Sequence, residues 1–315
     1  MATAQDSWLD RAAEAVPAGW YRVPSGTQPP VGGAAAAVLA GRDLVLWRDG
    51  DGALRAHDAH CPHFGAHLGH GGEVVDGCLA CPFHGWRYAP DGAHVGFHRG
   101  EGTTSARLRA WPTRHLDGTD LVWYSPDDEA TPWEPGALLH DLSPTAQELT
   151  PIEASGRGLH LAMMEGVVDV AHFPKLHDID PPAIDDLDFA DRPTAGLTLR
   201  LDSGAVARIT FDGLTRIRER MDHGAYTLWM VGEYWLEGPD RAEGIVRFWG
   251  DGPSPAGVER MYRIFRRVYE RQAEEDQHIW RHRRYGAAQA HGPDDRPVVA
   301  FRRWAAQFFP GVADA

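Results

Sequence analysis

The chain has 315 residues, 43% of them hydrophobic and 24% charged, which implies one large or two ordinary domains and excludes a wholly disordered protein. Thirty-one basic against 45 acidic residues give a net charge of −14, which repels phosphate backbones and anionic lipid surfaces, so nucleic-acid binding is not expected. The longest apolar run, residues 32–41, falls far short of the ~20 residues that cross a bilayer, so no membrane span is expected either. The chain begins with acids at Asp6 and Asp10 and has neither the basic start nor the apolar core of an export signal, so a cytoplasmic protein is expected. Short strands over 34–39, 44–47, 73–75 and 121–124, separated by turn signals such as Asp49-Gly50-Asp51-Gly52, predict an antiparallel β module.

All three cysteines of the chain, Cys61, Cys78 and Cys81, lie inside that module, too close together for a disulfide framework. They form two Cys-His pairs, Cys61-Pro62-His63 and Cys81-Pro82-Phe83-His84. Two thiolates and two imidazoles suit either a closed zinc site or a Rieske [2Fe-2S] cluster. Zinc fingers supply two Cys and then two His, whereas this sequence interleaves them. Two similar loops that each give one sulfur and one nitrogen let one iron collect both sulfurs and the other both nitrogens, which is Rieske geometry.

Cys61-Pro-His-Phe-Gly-Ala-His-Leu-Gly-His-Gly-Gly and Cys81-Pro-Phe-His-Gly-Trp-Arg-Tyr resemble the two cluster-binding loops of Rieske domains. The resemblance implies Cys61, His63, Cys81 and His84 as ligands and leaves Cys78 as a buried strand residue. His57, His60, His67 and His70 lack the matching offsets and read as loop or supporting residues.

An electron carrier would need only about 120 residues, yet nearly 200 follow. After a linker over 125–135 rich in Pro, Asp and Thr comes Asp169-Val-Ala-His172-Phe-Pro-Lys-Leu-His177. Two histidines five apart do not share one face of a regular helix, so a helix through about Ala171, broken by Pro174, is expected to bring them together. The segment resembles the Asp-x-x-His-x-x-x-x-His run of Rieske non-heme iron oxygenases. That resemblance implies His172 and His177 as ligands of a mononuclear Fe(II). It also implies Asp169 as the bridge between that site and the cluster of a neighbouring subunit. Many members carry Asn three residues before this Asp, and this chain has Gly166.

Strands are expected over 197–201, 205–211, 226–235 and 244–249, with Trp229, Met230, Tyr234, Trp235, Phe248 and Trp249 as core or pocket aromatics and neighbours. A helix is expected over 258–283 from apolar residues at three and four spacing. Such an iron needs a carboxylate as third ligand, and by spacing Glu274, Glu275 and Asp276 all qualify. Asp276-Gln-His-Ile-Trp280 resembles the Asp-x-x-Ile-Trp segment of the 3-ketosteroid 9α-hydroxylase and cholesterol 7-desaturase branch, which implies Asp276.

The resulting expectation is an α+β chain: a Rieske antiparallel β domain over 1–135, then a helix-wrapped antiparallel β-sheet catalytic domain over 136–315. The resemblance implies a terminal oxygenase assembled as a homotrimer. It would use O2 and electrons from NAD(P)H, delivered by a separate ferredoxin and/or flavin-dependent reductase, to oxidise an apolar small molecule. No G-x-G-x-x-G dinucleotide fingerprint is found; Gly32-Gly33-Ala-Ala lacks the spacing. The rivals are a Rieske electron carrier without mononuclear iron and a zinc-stabilised binding module.

Overall fold

Alternating apolar and polar positions between 183 and 251 build a β-meander, which a preceding strand closes into one seven-stranded antiparallel sheet. Its order is Gln147–Arg157, Arg241–Asp251, Tyr226–Gly238, Arg216–His223, Val206–Asp212, Thr194–Arg200 and Ala183–Asp188. The computed structural model describes residues 8–100, 102–127, 133–157, 160–190, 192–285 and 289–312. Residues 1–7 of the N-terminal segment and 128–132 of the linker therefore lie outside the described residues.

The sheet's two faces carry different partners because successive side chains point to opposite sides. Leu228, Met230, Val246 and Phe248 pack against Tyr262, Met261, Phe265 and Tyr269 of a 26-residue helix, α3 (Pro255–Trp280) in chain order. Trp229, Val231 and Trp249 face the other way and pack on Leu138, Leu139 and Leu142. The six residues grouped as core or pocket from the sequence are thus divided between two faces, and all six are buried. Helix α3 starts earlier than its apolar period suggests. Ser254 caps it by accepting from the Gly257 N–H at 3.2 Å, and Pro255 opens the first turn.

Three shorter helices complete this unit: α1 (Leu9–Ala12), α2 (His160–Gly166) and α4 (Arg296–Ala305). Helix α4 covers the sheet through Phe301 and Trp304, whose rings meet Phe211 at 5.7 and 5.8 Å. The described N-terminal residues belong here as well. The Trp8 ring lies 5.4 Å from Phe309, and the Ala18 N–H donates to the Phe308 carbonyl at 2.7 Å. The chain accordingly forms two compact units, Met1–Gly19 with Ser125–Ala315, and Trp20–Tyr124. This differs from a division at 135/136, because aromatic burial recruits the N-terminus to the distant C-terminal helix.

The second unit holds a four-stranded sheet (Ala34–Leu39, Arg42–Arg48, Leu54–Asp58, Ala110–Trp111), another (Glu73–Val75, Cys78–Ala80, Arg87–Tyr88, His94–Gly96) and a three-stranded one (Gly19–Arg22, Thr119–Tyr124, Thr113–Leu116). Cys78 is on a strand as expected but only half-buried. In its three-residue strand the middle side chain, Leu79, takes the core face and Cys78 takes the other. Among the described residues no helix is long and apolar enough to cross a membrane.

Candidate metal centres

In the smaller unit, two loops repeat one backbone pattern. The Gly65 N–H donates to the Cys61 carbonyl and the Cys61 N–H to the Ala66 carbonyl; Gly85, Cys81 and Trp86 make the same pair of bonds. Both turns need a left-handed residue at the fourth step, and Gly65 (φ 72°) and Gly85 (φ 67°) supply it. A Cβ on Gly85 would also stand 2.4 Å from that of His98. The repeat carries Cys61 and His63 on one loop and Cys81 and His84 on the other.

These side chains suit a two-metal cluster. Cys61 and Cys81 are buried, and their sulfurs neighbour each other. The Tyr88 hydroxyl lies 3.1 Å from Cys61 Sγ. Burial pushes the Cys81 thiol up, with Cys61 adding to the effect, while the backbone N–H groups of Phe83 and His84 favour its thiolate. The rings of His63 and His84 are 4.9 Å apart, and His63 is fixed by stacking on Trp86 at 4.2 Å. Its Nδ1 is buried without a partner, a donor atom that a metal would satisfy. His57 plays a different part: buried, it accepts from Trp47 Nε1 at 3.0 Å, and burial lowers its pKa to about 4.

The second centre begins where α2 stops. The helix ends at Gly166, earlier than expected, and Asp169 stands outside regular helix before a 3₁₀ turn, Val170–His172. Phe173–His177 then form one turn of π-helix, closed by Asp178 at φ 55°. Pro174 does not break this turn; it sits at its start, where no intrahelical donor is required. The i→i+5 closure of a π turn brings residues five apart into register, which accounts for the His172/His177 spacing that a regular helix could not accommodate.

His172 Nε2 and His177 Nε2 stand 3.0 Å apart, and Asp276 Oδ1 on α3 is 3.4 Å from each. Three donors about 2.1 Å from one ion, at angles between right and tetrahedral, are separated by about 3.0–3.4 Å, so the triangle fits a single metal bound on one face. One donor atom from each of the three residues lies within 4.8 Å of those of the other two. Of the three acids that qualified by spacing, Glu274 is exposed and Glu275 reaches the outer nitrogen of His177, Nδ1, at 2.7 Å. His172 Nδ1 has the matching partner in Asp169 at 3.7 Å. Glu275 thus sets the tautomer of His177 and aims its Nε2 inward, while Asp169 stands within ion-pair reach of the outer nitrogen of His172. Arg271 fixes the turn by donating to the His177 carbonyl at 3.1 Å.

Excess negative charge marks the site. Burial opposes the His172 imidazolium, but Asp169 and Asp276 outweigh it and raise its pKa to about 9. Burial likewise opposes the Asp169 carboxylate, yet His172 and Arg283 hold it below its ordinary range. Such a site attracts a cation.

Region 19–107 matches the family described as the Rieske [2Fe-2S] domain, and region 250–309 the 3-ketosteroid 9α-hydroxylase C-terminal domain. A cholesterol 7-desaturase of Caenorhabditis elegans is 26% identical over 93% of this chain and 77% of its own length. One from Drosophila melanogaster is 30% identical over 51% of this chain, an alignment spanning 38% of that relative. The solved structure of a Pseudomonas putida CBB5 NdmA mutant with theobromine shares the fold, with TM-score 0.72 at 16% identity over 91% of this chain and 88% of that one. The chain carries a Rieske [2Fe-2S] domain and is similar to Rieske oxygenases over its length. The match to the Rieske family identifies the loops around Cys61 and Cys81 as part of a cluster domain, and oxygenases of this family use a mononuclear iron as well.

Two structural features of this chain were not legible in sequence. Gly166 lets α2 approach α3: a Cβ there would stand 3.3 Å from the Trp280 ring, so the indole occupies the space a side chain would need. Glu165, wholly buried, binds Arg302 at 2.6 Å and also pairs with Arg283, tying the end of α2 to α4 and to the segment after α3. An acid in a helix beside a glycine carries no sequence signal for that role.

Proposed function

We propose that this chain is the terminal oxygenase of a Rieske system that hydroxylates a C–H bond of an apolar, polycyclic, sterol- or terpenoid-like molecule. The observation that carries the reading is the His172–His177–Asp276 triangle, in the same chain as two Cys-His loops. In the net reaction, R–H, O2, two electrons and two protons give R–OH and water. The electrons come from NAD(P)H through a separate ferredoxin and/or flavin-dependent reductase, in a cytoplasmic setting.

When bound, the mononuclear iron supplies the activation of O2 for C–H oxidation, and the cluster supplies electrons. The residues hold the geometry. His172, His177 and Asp276 would hold the iron through two neutral nitrogens and one carboxylate oxygen. Glu275, by taking the proton of His177 at Nδ1, would leave the Nε2 lone pair to the ion, and the apolar side chains beneath α3 suit an apolar substrate.

Asp169 is the bridge in this reading. Its side chain is 31% exposed, and a polar cavity of about 290 Å³, lined also by Glu165, Arg283, His291 and Arg302, opens beside it. A neighbouring subunit of a homotrimer would reach it there, so that its own cluster histidine, the counterpart of His63 or His84, hydrogen-bonds the carboxylate. Asp169→Asn is expected to retain both metals and slow cluster-to-iron electron transfer by 10- to 100-fold or more, measured by single-turnover oxidation of the pre-reduced protein. Transfer at the wild-type rate would remove the bridging role.

Desaturation is the second reading, favoured by the desaturase relatives. Incubation with a surrogate reductase, NADH and a panel of sterols, 3-ketosteroids, terpenoids and aromatics tests the proposal by mass spectrometry. A gain of one oxygen supports hydroxylation, a loss of two hydrogens supports desaturation, and no O2-dependent product from any member overturns the substrate class.

A further inference from the structure

The face of the sheet beneath α3 is mainly apolar, and among its residues the part-buried Glu219 is an acid. Strand Arg216–His223 alternates, so Ile217, Glu219 and Met221 share a face, and the register sets Glu219 between Ile209 and Met230. Met230 belongs to the core under α3, which fixes the side on which the Glu219 carboxylate lies. Among the described residues Glu219 has no hydrogen bond and no ion pair. A charged side chain rarely occupies such a position without a partner.

The polar groups nearest to it are tyrosines. Tyr269 of α3 interacts with Glu219 electrostatically and pairs with the buried Tyr234, whose ring is 5.4 Å from that of His160. His160 is buried, with Nε2 bonded to the Leu214 carbonyl, so its Nδ1 is an acceptor, and that atom has no partner. Burial alone pushes the Glu219 carboxyl up to about 7. The face therefore presents two acceptors that lack donors within an apolar setting.

Position along α3 relates this cluster to the metal site. Tyr269 and Asp276 are seven residues apart, two turns on one helix face and about 10 Å along the axis. Ala273 lies between them on that face, a small side chain that leaves room.

We propose that Glu219 is the specificity-determining anchor of the substrate, accepting a hydrogen bond from a hydroxyl group on an otherwise apolar molecule. The carbon to be oxidised then lies about two helical turns away, at the triad. This inference rests on the oxygenase reading above and adds a chemical requirement to it: the substrate carries a hydrogen-bond donor at the end remote from the reacting carbon. Tyr269 frames the same end.

The test uses the iron-loaded full chain and two probes that differ by one hydroxyl, cholesterol and cholest-5-ene, with equilibrium binding of the radiolabelled sterols and product formation both measured. Wild type is expected to bind cholesterol about 10- to 100-fold more tightly, as for a hydrogen bond to a charged group. Glu219→Leu should erase the preference through weaker cholesterol binding, and the isosteric Glu219→Gln should retain part of it. In each variant the visible spectrum of the cluster reports an intact fold. Equal wild-type binding of the two probes, or an unchanged preference in Glu219→Leu, overturns the anchor while oxidation of either probe leaves the oxygenase reading standing. Binding of neither probe overturns the anchor and the sterol class together, and O2-dependent oxidation of another compound would then show that the oxygenase reading survives.

Discussion

Asp276→Ala is expected to reduce turnover below about 1% of wild type and to lower iron from three atoms per chain to two, with the cluster's visible absorbance unchanged. The reason is that the carboxylate is the single anionic donor in a triangle whose other corners are neutral imidazoles 3.0 Å apart. Losing a supporting carboxylate typically costs 10- to 100-fold in metal affinity, and losing a direct donor costs more. Glu275→Ala should therefore fall in that intermediate range, since it removes the 2.7 Å partner of His177 Nδ1 and spares the triangle. Glu274→Ala, at an exposed position, should behave as wild type. Metal analysis with electron paramagnetic resonance of the reduced cluster distinguishes the outcomes. A third iron retained by Asp276→Ala would dismiss the carboxylate as a ligand, and loss of colour would place it with the cluster instead.

Glu165→Ala should give the largest loss of stability. Its carboxylate is 1% exposed and Arg302 is 4% exposed, so truncation leaves a guanidinium buried without its main counter-ion. Removing one partner of a buried pair costs about 3–5 kcal/mol. For a unit of roughly 200 residues that corresponds to a fall in melting temperature of about 6–20 °C. Circular dichroism melts check it, and Glu165→Gln, which keeps an acceptor for Arg302, should lose less. Because Glu165 precedes Asp169 by four residues, the same variant should also bind mononuclear iron more weakly. A melting temperature within 2 °C of wild type would show that Arg302 finds another partner, such as Gln289, whose Oε1 already accepts from it at 2.7 Å.

The cluster loops were the most legible part of the chain because their chemistry is local. Each spans a few residues, each needs a Cys, a His two or three positions on and a glycine in a left-handed turn, and those residue types stand out in a sequence with only three cysteines. Strand and helix periods were equally open to reading, since burial on one face imposes them along the chain. The strand Arg216–His223 escaped because arginines alternate with its apolar positions, and those arginines are neutralised by partners outside the strand, Asp141 for Arg218 and Asp212, at the end of the preceding strand, for Arg216.

By itself, then, the order of residues determined the two Cys-His loops, the paired histidines and the class of fold, all set by neighbours along the chain. Spacing left three consecutive acids open and resemblance pointed to Asp276; tertiary structure decided their placement, because one residue's step along α3 rotates the side chain by about 100°, which sets Asp276 at both Nε2 atoms and Glu275 behind His177. It decided too that a π turn joins His172 to His177, that Gly166 yields its space to Trp280, and that the N-terminus packs on the C-terminal helix. Apart from the π turn, each of these depends on which surfaces are brought together across about a hundred residues or more, and that is fixed by packing.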